Sequence, residues 1–403
     1  RTVARLKAAL QNRERVCVWG DYDVDGVSAT AILEGTLAAL GGNVFHHLPS
    51  RQTEGYGLNR AGIEEIAKDA RLLLTVDCGV TSVELVAYAK ELGLDVIVTD
   101  HHEPGEALPD CPVVNPLLGG YANPGLCGAG VAFKVALALD EETALSFIDL
   151  AALATVADVV PLLGENRALV ALCLERINEA PRTGIDALIS TAKVNRGALK
   201  AGNLAFQLVP RLNAGGRLGS ADRALSLLTS TDADEAMALA LELESENGER
   251  RRAEAEILRD AASMMETFDF VRDRVIVLWG ENWNVGVVGL AASRLVEKYA
   301  LPAIMLSGEG DILTGSCRSV PGVDIHEMLV HCAHLLEKFG GHKQAAGLSL
   351  RKENLPAFVC AINDAIRENA DAECFVPSLE YDFELPLSDF DEDLCRAMEA
   401  LEP

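Results

Sequence analysis

No apolar run in this sequence approaches the roughly 20 residues that a membrane-spanning helix requires, which excludes a helical membrane protein. No secretory leader opens the chain, and because it starts at Arg1 rather than Met it is expected to be a trimmed piece. None of the ten cysteines forms a CxxC pair or other metal-knuckle spacing, so a thiolate zinc site is excluded and free thiols in a reducing cytoplasm are expected. Basic residues are also short, 35 Lys and Arg against 61 Asp and Glu. The formal net charge of −26 excludes a protein that holds nucleic acid by general attraction, because phosphate binding needs Lys and Arg. That exclusion is global, and a metal site with a few arginines can still make a local positive groove. What remains is a folded chain, 49% apolar, whose 403 residues call for two or three domains.

The stretch Gly20-Asp21-Tyr22-Asp23-Val24-Asp25-Gly26 organises the rest. It follows the apolar run Arg15 to Trp19, which reads as a buried strand, and precedes Val27 to Leu33, which reads as the start of a helix. A single Asp there would be a helix N-cap. Three at alternate positions repel one another, and a hard divalent cation is the simplest neutraliser. Residues 1 to about 160 alternate apolar strands (15–20, 43–48, 71–76, 95–99) with helices near 27–40, 60–70, 82–92 and 128–139. This alternation predicts an α/β domain with a mostly parallel, doubly wound sheet. Two strands then run into Asp77-Cys78-Gly79 and Asp100-His101-His102, at the same sheet edge as Asp23 and Asp25. A helix from Leu145 to Ala157 stops before Pro161 and presents Asp158.

Asp23, Asp25, Asp77, His101 and Asp158 are oxygen and imidazole ligands that suit Mn²⁺ or Mg²⁺. Five are too many for one catalytic ion, whereas two ions sharing a carboxylate form the arrangement that hydrolyses phosphate esters.

These motifs, with Ala157-Asp158-Val159-Val160-Pro161-Leu162 and Phe339-Gly340-Gly341-His342, resemble the DHH phosphoesterase superfamily in order from residue 15 to about 350. Within it the chain is similar to the branch of single-strand-specific 5′→3′ DNA exonucleases. The resemblance implies two ions, with Asp23 and Asp77 on one and Asp25, Asp77, His101 and Asp158 on the other, Asp77 bridging. It places His102 beside the scissile phosphate, makes Asp77, His101 and His102 the catalytic candidates, and leaves Asp21 and Asp100 as further ligands or supports. Small-molecule members carry a His just before the first motif. Here Trp19 and Asp21 stand in that neighbourhood, which favours the nuclease branch.

Gln207 to Gly219 reads as a Gly-rich turn, and the same resemblance extends to its segment Pro210-Arg211-Leu212-Asn213-Ala214-Gly215-Gly216-Arg217, in which Arg211, Asn213 and Arg217 are expected to meet phosphate. Asp232 to Met265 reads as a long linking helix with a solvated charged face, carrying pairs such as Glu246/Arg250 and Arg252/Glu256. A second, smaller α/β domain of the accessory, DHHA1-like kind follows. It comprises a strand 275–279, a helix from the following glycines, strands 302–306 and 314–319, and a helix from Asp324 to Phe339. Ser316, Arg318 and His342, expected at loop ends, are its phosphate-binding candidates. Tyr381 to Leu385 alternates like one strand, and the resemblance implies an oligonucleotide-binding barrel beginning there. The expected domains are 1–185 (catalytic), 186–268 (helical connector and linking helix), 269–352 (accessory) and 353–403 (start of the barrel).

The implied function is two-metal hydrolysis of single-stranded DNA in repair and recombination. The implied partners are a single-stranded-DNA-binding protein and a RecQ-type helicase, with no membrane and a cytoplasmic location. Two alternatives stand beside it: a phosphoesterase of the same fold acting on short oligonucleotides or cyclic dinucleotides, and a non-catalytic DNA-binding scaffold. The scaffold predicts a broken ligand set, and none of the five ligand positions is broken.

Overall fold

Alternate residues of three apolar strands face two different cores. Val16, Val18, Leu72, Leu74, Val76 and Ile97 pack on one side, while Cys17, Trp19, Leu73, Val96 and Val98 pack on the other. This two-sided burial is what a central parallel sheet demands, and it explains why these runs are continuously apolar. In the computed structural model, which describes residues 1–50, 54–379 and 381–403, they belong to β1 (Arg15–Trp19), β3 (Leu72–Val76) and β4 (Asp95–Thr99). With β2 (Asn43–His47) and β5 (Val113–Val114) they form one parallel sheet of order β2-β1-β3-β4-β5. Helices Val24–Ala39, Gly128–Leu139 and Ile148–Ala157 cover the first face, and Arg60–Ile66 and Val83–Glu91 the second. The doubly wound expectation holds. Only β5 went unforeseen, two residues being too few to show a period.

The chain divides into two units, residues 1–247 with 392–403, and residues 248–391. In the first, the expected Gly-rich turn at 207–219 is instead a helix, Val209–Leu218, entered through a π-helical turn, Leu204–Leu208. Pro210 sits in its first turn, where the missing N–H costs nothing, and the glycines are tolerated because close packing needs them. The long helix is present as Ala233–Met265, but its charged run is more than a solvated face. Ala236, Ala240 and Leu243 join the first core, and Glu242 and Glu246 reach Arg223 on the preceding helix while Glu244 reaches Arg211. Along the helix itself Arg250 pairs with Glu254 at 3.0 Å.

The second unit holds a mixed sheet of β6 (Ile276–Gly280), β7 (Ala303–Ser307), β8 (Ile312–Arg318), β9 (Leu336–His342) and β10 (Ala345–Arg351), in the order β6-β7-β8-β10-β9. Helix Val285–Tyr299, capped by Asn284, follows β6. The helix expected from Asp324 to Phe339 ends at His331, and Phe339 to His342 pair with β10 instead. Gly340 and Gly341 disfavour a helix, and the antiparallel partner gives their backbone groups a ladder. Ser316 and Arg318 lie in β8, the strand expected at 314–319, with Arg318 at its end. Residues 353–403 do not open as a barrel, since helix Leu355–Asn369 sends Phe358, Ile362 and Ile366 into this unit's core. Tyr381 to Leu385 forms no strand: among the described residues the alternation has no neighbouring strand to pair with, and Tyr381, Phe383 and Leu385 stay exposed.

Candidate functional site

A parallel sheet brings the carboxyl ends of its strands to one edge, and β1, β3 and β4 are neighbours. After β1 the chain turns into helix Val24–Ala39 with Asp23 as N-cap, its Oδ1 accepting the N–H groups of Asp25 at 3.0 Å and Gly26 at 3.1 Å. A capping role therefore accounts for one of the three carboxylates. Asp25 is buried, and its two oxygens accept the N–H groups of Gly128 at 2.6 Å and Ala129 at 2.7 Å, at the start of helix Gly128–Leu139. These N–H groups form the positive end of that helix and hold both carboxylate oxygens in place.

After β3, Asp77 takes a left-handed conformation with φ 59°, strained by about 1–2 kcal/mol for a residue with a Cβ. After β4, Asp100 is buried and fully engaged. Its Oδ2 accepts Val80 N–H at 2.8 Å, and its Oδ1 accepts the backbone N–H of His101 at 2.8 Å and Nδ1–H of His102 at 2.8 Å. Asp100 is thus a support that orients the two histidines and joins no ligand set. Asp158 caps the carboxyl end of helix Ile148–Ala157, as expected.

His101 stands at the centre. Its Nε2 lies 3.1 Å from Asp77 Oδ1 and 3.7 Å from Asp25 Oδ2, and its Nδ1 lies 3.7 Å from Asp158 Oδ2. Three sets could each hold a cation, with donor atoms within 4.8 Å of one another: Asp21, Asp23 and Asp77; Asp25, His101 and Asp158; and Asp77, His101 and His102. Asp77 belongs to two of them.

The electrostatics favour an ion. Burial first, then the charges of Asp25 and Asp23, push the Asp77 carboxyl well above the usual carboxylate range. The same causes raise Asp158 to about 8, and burial and Asp25 raise Asp23. Burial lowers His101, keeping its ring neutral and able to ligate. These carboxylates cannot all ionise together without added positive charge. Asp77 Oδ1 is buried and makes no hydrogen bond among the described residues, with His101 Nε2 3.1 Å away, a placement that suits a cation ligand. The oxygen and imidazole donors fit a hard divalent ion.

The structure also supplies contacts the sequence hid. The Tyr56 hydroxyl donates to the Asp77 carbonyl oxygen at 3.2 Å and lies 3.2 Å from His102 Nδ1. Its only sequence signal was an aromatic between Gly55 and Gly57. Gly128 is required beside the acids, because a Cβ there would fall 2.6 Å from Asp77 Oδ1. Of the expected phosphate ligands, Arg211 pairs with Glu244 and the Gln207 carbonyl oxygen, and Asn213 accepts the Val24 N–H at 2.9 Å. Arg217 acts on Asp23 by its charge. In the second unit, Arg318, Ala345 and His342 are register partners on three adjacent strands, and Ser316 lies two residues from Arg318 on the same face.

The DHH family, N-terminal domain, matches residues 15–156, and the DHHA1 domain matches residues 272–368. The single-stranded-DNA-specific exonuclease RecJ of Dickeya dadantii is 37% identical over 396 residues, covering 91% of this chain and 69% of that protein. The chain belongs to the RecJ family. RecJ of Bacillus subtilis is 40% identical over 405 residues, covering 99% of this chain and 51% of the relative, so the chain spans about half the length of that protein. A crystal structure of exonuclease RecJ bound to manganese superposes with a TM-score of 0.81 at 39% identity, covering 91% of this chain and 93% of that one. Membership in the RecJ family accounts for the order of the motifs along the chain. No helix among the described residues is long and apolar enough to cross a membrane.

Proposed function

We propose that this chain is the catalytic part of a two-metal-dependent 5′→3′ exonuclease that hydrolyses single-stranded DNA to nucleotides in repair and recombination. One observation carries this: Asp23, Asp25, Asp77, His101 and Asp158, drawn from four separate segments, lie close together at one sheet edge, with Asp77 Oδ1 buried and accepting no hydrogen bond among the described residues. The RecJ relatives and the manganese-bound RecJ structure support the substrate and the metal.

Asp23, Asp77 and Asp21 would hold one Mn²⁺ or Mg²⁺ ion, and Asp25, Asp77, His101 and Asp158 the other. Bound there, such a pair supplies Lewis-acid polarisation and charge neutralisation for in-line displacement at phosphorus. The chain's own groups do the rest. The helix end at Gly128 fixes Asp25, and Asp100 fixes His102. Burial works against a charged His102 ring, but the bond to Asp100 outweighs it and raises the ring's pKa, so His102 can donate to a phosphate oxygen. Ser316, Arg318 and His342, on one sheet face of the second unit, would receive the phosphates of the strand end. A single-stranded-DNA-binding protein, a RecQ-type helicase and a cytoplasmic setting belong to the same proposal for the whole protein.

The test is product analysis on 5′-labelled and 3′-labelled single strands, blunt duplexes and dinucleotides, with and without Mn²⁺. Mononucleotide release from the 5′ end of single strands is expected. Preferential cleavage of dinucleotides would favour a small-substrate phosphoesterase, and no cleavage of anything would favour a scaffold.

A further inference from the structure

Asn213 was expected to meet phosphate from a glycine-rich turn, yet its side chain is committed to the protein. Its Oδ1 accepts the backbone N–H of Val24 at 2.9 Å, across 189 residues of sequence. Val24 opens the helix that carries Asp25, and its N–H is one of the donors that a helix start leaves without an internal partner. Asp23 caps the next two donors, those of Asp25 and Gly26, so Asn213 completes the cap from a distant helix. One turn along, Gly216 meets the same segment: a Cβ there would fall 2.2 Å from the Tyr22 carbonyl oxygen. The neighbouring Arg217 brings its positive charge close to Asp23. Asn213, Gly216 and Arg217 of one helix thus address Val24, Tyr22 and Asp23. The following helix, Asp222–Thr229, is tied down in turn, with Asp222 Oδ1 3.5 Å from His46 Nε2 and Glu34 Oε2 2.9 Å from His46 Nδ1.

We infer that helix Val209–Leu218 is a buttress for the acidic turn, and that Asn213 is a positioning residue for the carboxylates of Asp23 and Asp25 and not a phosphate contact. The inference rests on the proposed cation site, because the turn matters only if its carboxylates must be held for an ion. Asn213 acts by fixing where the helix begins. A turn free to fray at Val24 would spread Asp23 and Asp25 over several positions, and a rigid divalent site tolerates little such spread.

The experiment measures amide hydrogen exchange at Val24 in the metal-free chain, for wild type, Asn213→Ala, Asn213→Asp and Gly216→Ala. Asn213→Ala is expected to speed exchange at Val24 severalfold, and Asn213→Asp, which keeps an acceptor oxygen in place, is expected to restore protection. Gly216→Ala should loosen the same segment through Tyr22. Calorimetric titration with Mn²⁺ should show Asn213→Ala binding about tenfold more weakly, the size of effect seen when a ligand's supporting hydrogen bond is removed. Binding of a 5′-phosphorylated single strand in EDTA should stay unchanged. Wild-type exchange at Val24 in Asn213→Ala would overturn the inference. So would a loss of strand affinity in EDTA with Val24 protection and Mn²⁺ binding intact, which is what a phosphate contact predicts. Exchange at Val24 is read without metal, DNA or turnover, so its outcome is independent of whether the chain is an exonuclease.

Discussion

The Asp25 carboxylate and the Gly128 backbone N–H, 103 residues apart in sequence, are joined at 2.6 Å, and this bond ties the acidic turn after β1 to the start of another helix. Gly128 also leaves room for Asp77, which a Cβ at that position would approach to 2.6 Å. Gly128→Ala is therefore expected to displace either the bridging carboxylate or the helix end that fixes Asp25. Displacing a reacting constellation by about 1 Å costs on the order of 10² in rate. Mn²⁺-dependent cleavage of a single strand should fall by about that factor while circular dichroism stays unchanged. Cleavage within twofold of wild type would show that the site accommodates the methyl group.

Asp77→Asn separates the chemistry from the fold. As the shared ligand of both proposed ions, its charge cannot be spared, and hydrolysis should drop by at least about 10²–10³-fold. Without metal the effect on stability has the opposite sign. Burial and the neighbouring carboxylates raise the Asp77 pKa, so the folded state binds a proton that the unfolded state releases, and the charged form is destabilising near neutral pH. The metal-free variant should melt higher than wild type at pH 7, and added Mn²⁺ should stabilise wild type more than the variant. Equal activity of the two proteins in Mn²⁺ would remove Asp77 from the metal centre.

Much of the first unit was legible because its signals are local. Strand periodicity and the acids at strand ends placed Asp23, Asp25, Asp77 and His101 at one sheet edge, and Pro161 marked the helix stop at Asp158. The groups that hold those acids were not legible. Gly128, Asn213 and Tyr56 act through contacts between segments far apart in sequence, and no local pattern encodes them. The glycines of Val209–Leu218 misled for a related reason. A glycine selected for close backbone packing reads the same in sequence as one selected for a turn. In the second unit the pattern around Phe339 failed because β9 is defined by its partner β10 and not by its own propensity.

His46 gives the first unit a pH signature away from the site. Bonds to Asp222 and Glu34 raise its pKa to about 9, from the ordinary 6.5. A histidine with a raised folded-state pKa contributes stability that is fully present below 6.5 and is lost as pH rises through about 9. Urea unfolding of wild type and His46→Gln should therefore differ most near pH 6 and converge by pH 10. Comparing the two proteins cancels the thiols and lysines that titrate in the same range. A difference that grows with pH would show that His46 is not held as an imidazolium between the two carboxylates.

Arg318 tests how a strand end is recognised. It shares a row with His342 across β8, β10 and β9, through Ala345, and Ser316 lies on the same face. Antiparallel neighbours sit about 4.8 Å apart, so Arg318 and His342 are separated by roughly 10 Å, enough for a terminal phosphate and the phosphate after it to be addressed together. A 5′-terminal phosphate differs from an internal one by its extra charge and free oxygens, and a guanidinium fork suits that group. Arg318→Ala should lower kcat/KM on a 5′-phosphorylated single strand by about 1.5–3 kcal/mol, the worth of a charged hydrogen-bonding partner. The same variant should change kcat/KM on a 5′-hydroxyl strand much less, because that strand lacks the group Arg318 receives. Asp77→Asn, by contrast, should abolish cleavage of both. The measurement is steady-state cleavage of the two strands by wild type and both variants in Mn²⁺. An equal loss on the two substrates for Arg318→Ala would assign Arg318 to the fold of the second sheet and not to reading the strand end.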